Sequence, residues 1–209
     1  IQAGRDTSHY LHNVMHISRA KKDVIDNSQS RYSPVMTLYD IKETLDNSSL
    51  IYAFIGKPCD IAGLKNFLSC FPQYKGRVKF FISIVCAGIP SYNATKQLIE
   101  MSGCKEEPTS VKYRGDGWPG KFVASFKNGD QYELGYNESW GKVLGRNLGF
   151  RCKVCPDGIG LLADIVVGDS WNTKNGYPDF TESEGVSFAI ARNLQAAQFL
   201  GEAERLGYI

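Results

Sequence analysis

The sequence predicts an α+β protein whose first half is α/β-like, with a parallel-strand sheet, followed by a hairpin and a cysteine-bearing loop region. Three observations carry this. Two short apolar runs, Leu50–Ile55 and Arg77–Val85, are each followed by a turn and a stretch of helical spacing. Such a strand–turn–helix repeat is what parallel strands require. Further on, Phe122–Phe126 and Gln131–Tyr136 flank Asn128-Gly129, a two-residue hairpin signal.

The elements follow in order. Residues 1–30 are polar, with weak periodicity, and read as a segment of a truncated domain, with a second unit over 31–209. Thr37–Leu45 reads as a short helix. Gly56-Lys57-Pro58-Cys59 turns the chain after the first strand, with Asp60 as the expected N-cap of a helix through Ile61, Leu64, Phe67 and Leu68. Cys86-Ala87-Gly88 ends the second strand, and Pro90-Ser91 opens a helix through Ile99. Ser139–Leu148 reads as a short helix, Ala163–Val167 and Val186–Ala191 as strands, and Gln195–Leu206 as a terminal helix.

Composition limits the function classes. The 209 residues are 43% hydrophobic and 22% charged, which suits a globular chain rather than a disordered one. A formal charge of +2 from 24 basic and 22 acidic residues gives no general reason to expect nucleic acid or an anionic membrane. No apolar run approaches the roughly 20 residues of a membrane span. The chain starts at Ile1 without a signal-peptide pattern, so it reads as part of a longer, cytoplasmic protein. His9, His12 and His16 share no metal spacing with the cysteines and read as surface residues.

Six cysteines punctuate the chain. Cys152 and Cys155 form a CxxC, which lets two thiolates face one metal or cluster. Cys59 and Cys86 both fall just after a strand's carboxyl end, the edge where open α/β sheets place ligands, and adjacent strand ends lie about 5 Å apart. These four are the candidate ligands. Cys70 and Cys104 lie amid apolar residues and read as structural thiols. Ligand type leaves zinc, an iron–sulfur cluster and a cycling dithiol open. Trp118, Tyr136, Trp140, Phe150 and Trp171 would suit either a flat cofactor or a core.

The segments 54–64, 81–88, 113–120 and 152–158, with Ala163-Asp164-Ile165 and Gly168-Asp169, resemble in order the coenzyme F-420 hydrogenase/dehydrogenase beta-subunit family, in its C-terminal domain. The match covers roughly residues 31–192, and the Trp118-Pro119-Gly120 loop is most similar to bacterial members that accompany polysaccharide biosynthesis. The resemblance implies a [4Fe-4S] cluster on Cys59, Cys86, Cys152 and Cys155. It also implies FAD near the Arg31–Pro34 segment with Ser33, near Gly56, Lys57 and Pro58, and near Arg114, Gly115, Gly117 and Trp118 of the Arg114–Gly120 loop. It further implies electron transfer between cluster and flavin, hydride exchange with a deazaflavin-like or other small molecule, and a ferredoxin-like domain or redox protein as partner. The alternative is a zinc- or cluster-stabilised interaction domain without catalysis.

Overall fold

A computed structural model describes residues 1–209. The chain opens with a hairpin, β1 (Gln2–Arg5) against β2 (Asn13–His16), then two short helices, α1 (Lys21–Asp26) and α2 (Ile41–Asp46). β3 (Tyr52–Gly56) leads into α3 (Pro58–Cys70), and β4 (Val78–Ile84) leads towards α4 (Tyr92–Glu100). β5 (Ser110–Lys112), β6 (Phe122–Ser125) and β7 (Gln131–Leu134) form a separate antiparallel sheet. After the short α5 (Phe150–Lys153), β8 (Ile165–Asp169) returns to the first sheet. A small ribbon follows, β9 (Thr173–Lys174) against β10 (Tyr177–Pro178), and then β11 (Ser187–Ala191) and α6 (Leu194–Arg205).

The main sheet runs β11-β8-β4-β3. The pairs β3–β4 and β4–β8 are parallel and β11 is antiparallel, so the α+β expectation holds with a mixed sheet. α3 packs on the parallel pair. Phe54, Ile61 and Leu64 are fully buried between them, with Ile41 and Leu45 of α2 completing this core. A second core lies under the three-stranded sheet, where Leu98, Phe122, Ala124 and Leu144 are inaccessible. Removing an apolar side chain of this size from such a core costs about 2–5 kcal/mol.

Residues 1–30 are more ordered than their polarity suggests. Ile1 is buried in the first core; its amine donates to the Ala53 carbonyl at 2.7 Å, and the Ile55 amide donates to the Ile1 carbonyl at 2.8 Å. The first residue therefore lies along the free edge of β3.

Three local expectations differ from the structure. The N-cap of α3 is Lys57, not Asp60. Asp60 stands in the first turn, where its carboxylate accepts from the Lys57 amide at 3.0 Å, the reciprocal half of a capping box. Residues 139–148 form no single helix but a wide turn, Asn137–Gly141, and a tight one, Leu144–Arg146. Gly141 and Gly145 interrupt the stretch, and glycine is a poor helix interior residue. Cys70 is exposed rather than buried, at the last position of α3, and Cys104 is half-buried beside the second core.

Candidate functional site

The cysteine site is assembled by backbone paths at one end of the sheet. Cys59 is the second residue of α3, directly beyond the carboxyl end of β3, and Cys86 follows the end of the neighbouring β4. The segment before β8 brings the CxxC to the same end. From Gly158 to Asp164 the chain runs down the side of β4, opposite in direction to it. The Cys86 amide donates to the Gly158 carbonyl at 2.9 Å, and Asp164 bonds Phe81 through both its amide and its carboxylate at 2.8 Å. Only then does the chain reverse into β8. Cys152 and Cys155 are thereby suspended beyond the carboxyl end of β4. Gly160 makes this passage possible: its φ is +64°, and a Cβ there would lie 2.5 Å from the Ser83 side chain.

A second strip of backbone closes the site. Ser91 donates from its amide to the Asn147 carbonyl at 3.1 Å, and the Ile89 amide points at the Cys152 sulfur at 3.4 Å. Gly88, with φ +110°, leaves room for Leu148 and Cys152; a Cβ would stand 3.2 Å from the Cys152 Cβ.

The thiols influence one another. Burial pushes the Cys86 thiol up from its ordinary value, and Cys59 and Cys152 both add to that rise, while the Gly88 amide and Lys57 oppose it. Cys59 is also raised, first by burial and then by Asp60, against Lys57 and Arg151. Cys59, Cys86 and Cys152 are therefore electrostatic neighbours. Cys155 is exposed, with its sulfur 3.5 Å from the Asp157 carbonyl. All six cysteines are free thiols, and no three His, Cys, Asp or Glu side chains close on one point as a single ion would need. Lys57 and Asp60 form an almost buried ion pair beside these thiols, Nζ to Oδ2 2.6 Å.

The residues expected to contact FAD separate into groups. Gly56, Lys57 and Pro58 border the cysteines, but Gly56 also packs tightly, since a Cβ would meet Phe54 at 2.8 Å and Asp60 at 3.0 Å. Arg114, Gly115 and Gly117 line one polar cavity of about 310 Å³ together with Gln29, Ser30 and Asp116. Ser33 is buried, and its hydroxyl already donates to the Leu11 carbonyl at 3.0 Å and accepts from Asn13 at 2.5 Å.

Arg114 is the best-defined charge of the molecule. Its Nε donates to the Pro119 carbonyl at 2.6 Å and its terminal nitrogen to Asp169. The guanidinium lies 4.8 Å from the Trp118 ring centre, 5.3 Å from Trp171 and 5.6 Å from Tyr136. Burial opposes its charge, but Tyr32 and Asp169 outweigh burial and raise its pKa. The Trp118 amide donates to Glu182 at 2.8 Å, and Trp171 also packs on Phe180. Sequence reasoning named Arg114, several of these rings and the Arg31–Pro34 segment that holds Tyr32, but missed Asp169 as the ion partner, Phe180 and Glu182. Within that segment it gave no separate role to Arg31, whose buried Nε has no partner and whose pKa is lowered by burial and by Arg5. None of these carries a spacing signal; a buried arginine is visible only once the fold surrounds it. Of the other aromatic candidates, the Trp140 ring lies 4.5 Å from that of Tyr32, and Phe150 is exposed.

A mixed sheet with cysteine thiols gathered beyond two adjacent parallel strands makes this an α+β protein with a thiol-rich candidate site at one end of the sheet. The chain belongs to the coenzyme F420 hydrogenase/dehydrogenase family, to the C terminus of its beta subunit, whose pattern matches residues 51–209. The uncharacterized protein MJ1349 of Methanocaldococcus jannaschii is 25% identical over 201 residues, 93% of this chain and 51% of that protein. A chain of the F420-reducing [NiFe] hydrogenase complex of Methanosarcina barkeri superimposes with a TM-score of 0.67 at 18% identity, over 98% of this chain and 66% of that one. The first likeness supports kinship and the second the fold. This chain spans about half the length of its curated relative.

Proposed function

We propose that this chain is the electron-transferring part of an iron–sulfur flavoprotein oxidoreductase. Cys59, Cys86, Cys152 and Cys155 are the ligands of a [4Fe-4S] cluster. When bound, cluster and FAD would supply one-electron and hydride chemistry respectively, and the chain would position them. The observation that carries this reading is the backbone frame that brings the cysteines to one end of the sheet: Cys59 and Cys86 follow the paired strands β3 and β4, the Cys86 amide donates to the Gly158 carbonyl at 2.9 Å, and the Ile89 amide lies 3.4 Å from the Cys152 sulfur.

Each neighbouring residue has a task in this reading. Lys57 sets a positive charge beside the thiolates, and Asp60 fixes its position. The Ile89 amide donates to the Cys152 sulfur at 3.4 Å and helps to orient it. Arg114, Gly115 and Gly117 present a cation and close-approach backbone to a polar cavity, where a phosphate or ribose of FAD would be received. Trp118, braced by Trp171, forms an aromatic wall near that loop. The small substrate is a deazaflavin-like or other hydride donor or acceptor, the partner a ferredoxin-like domain or redox protein, and the compartment the cytoplasm.

Anaerobic reconstitution with iron and sulfide tests the central point. A brown protein with about four iron and four sulfide per chain is expected, with a Cys152→Ser variant that loses most of both. Undiminished colour in that variant, or zinc bound in place of iron in the purified protein, would overturn it.

A further inference from the structure

We propose that Arg5 and Arg31 form a site for a phosphate-type oxyanion, outside the walls of the cavity that Arg114 lines. The proposal goes beyond the reading above and does not depend on the cluster. Arg31 carries the argument. Its Nε is buried without a partner, and no hydrogen bond or ion pair of the molecule takes up its guanidinium. A guanidinium has five N–H donors, and burying one unmet is costly. The other partly buried arginines are satisfied: Arg77 donates to the Leu45, Ser48 and Leu50 carbonyls, and Arg114 to Pro119 and Asp169.

Arg5 brings a second cation to the same place. It stands on β1 opposite Asn13, and the Asn13 side chain donates to the Ser33 hydroxyl at 2.5 Å, so the hairpin and the strip from Arg31 to Ser33 are stitched together. The terminal nitrogen of Arg5 has only a 3.5 Å contact with the Thr109 carbonyl. Burial and then Arg5 act against the charge of Arg31, and no carboxylate acts for it. The acidic residues of these segments are engaged or apart. Asp6 accepts from the Ser8 amide at 2.8 Å and from its hydroxyl at 2.6 Å. Asp116, on the cavity wall with Gln29 and Ser30, pairs with Lys112 at 3.3 Å. Glu106 and Glu107 are exposed ahead of Thr109, and the arginine ion pairs of the molecule are Arg114 with Asp169 and Arg205 with Glu202. Two cations held side by side, one of them half-buried, call for a ligand that supplies the missing charge. Two guanidinium forks match the oxygens and the double charge of a phosphate group.

Isothermal titration with inorganic pyrophosphate, in a chloride buffer of constant ionic strength, tests this, with Arg19→Gln as the surface-charge control. Saturable binding is expected, unchanged in Arg19→Gln and about tenfold weaker in Arg5→Gln and in Arg31→Gln. Arg5 is exposed, so its replacement leaves both cores untouched and keeps the test decisive even where Arg31→Gln fails to fold. No binding, undiminished binding by Arg5→Gln, or an equal loss in Arg19→Gln would each overturn the proposal. Competition names the source of the group. Displacement of pyrophosphate by FAD but not by riboflavin assigns the site to a flavin phosphate; equal binding to FAD-loaded protein assigns it to the phosphate of another small molecule. Both results uphold the site. Iron read on the same samples separates the two readings: pyrophosphate binding by a protein that never takes up iron counts against the cluster alone, and a full iron complement without pyrophosphate binding counts against this site alone.

Discussion

The Cys86 amide donates to the Gly158 carbonyl at 2.9 Å, across 72 residues of sequence. This bond joins the end of β4 to the loop that carries the CxxC, so the sheet and the cysteine segment share one backbone frame. Substitutions that disturb the frame should therefore be felt at the thiols without touching them.

Gly88→Ala is the sharpest such test. The residue has φ +110°, and its new Cβ would press on Leu148 at 2.8 Å and Cys152 at 3.2 Å. A loss of about 1–3 kcal/mol in urea unfolding is expected, together with lower iron uptake. Gly149→Ala meets nothing within 4 Å and should stay within about 0.5 kcal/mol of wild type.

Lys57 and Asp60 should behave as a unit. Their side chains are only 11% and 13% exposed. Asp60→Ala leaves a buried ammonium without its partner and should cost about 3 kcal/mol. Adding Lys57→Met to that variant should recover part of the loss. A double-mutant cycle by chemical denaturation reads the coupling.

Arg114→Lys should loosen the loop from Gly115 to Gly120. Lysine cannot keep a planar group against three rings while also donating to Pro119 and Asp169. A loss of about 1–3 kcal/mol is expected. The emission of Trp118 and Trp171, which lie 4.7 Å apart beside this arginine, should shift to the red.

Two tyrosines should govern the alkaline limb of stability. Burial raises the Tyr113 hydroxyl, and burial followed by Tyr32 raises that of Tyr136. A raised folded pKa means that the folded chain keeps protons the unfolded chain releases. The stabilisation is complete below the unfolded value of about 10 and is lost as pH rises through the folded values. Absorbance at 295 nm should show both ionising only with unfolding. Tyr136→Phe should flatten the fall of urea midpoint above pH 10, and Tyr113→Phe should do so while also losing its 2.9 Å bond to Thr95.

Much of the fold was legible in the residues. The apolar run before Gly56 forms β3, with Tyr52 and Phe54 buried, Ser91 caps α4 by accepting from the Ala94 amide at 3.3 Å, and Asn128-Gly129 turns the β6–β7 hairpin. Each of these depends on neighbours within a few positions. Asp60 misled because its capping bond is returned from three residues inside the helix, and an acidic residue after proline looks the same in either role. Residues 1–30 misled because Ile1 and Leu11 are isolated apolar residues whose burial depends on β3 and on the rest of the chain.

By itself the sequence determined that two cysteines follow apolar strands and that two more share a CxxC, since strand patterning and turn residues are local properties. It could not decide that Gly158 to Asp164 descends along β4 before β8 begins, or that Asp169 and the rings of Tyr136 and Trp171 surround Arg114. Those placements are set by packing between segments tens of residues apart, where the energy lies in contacts that no short stretch contains.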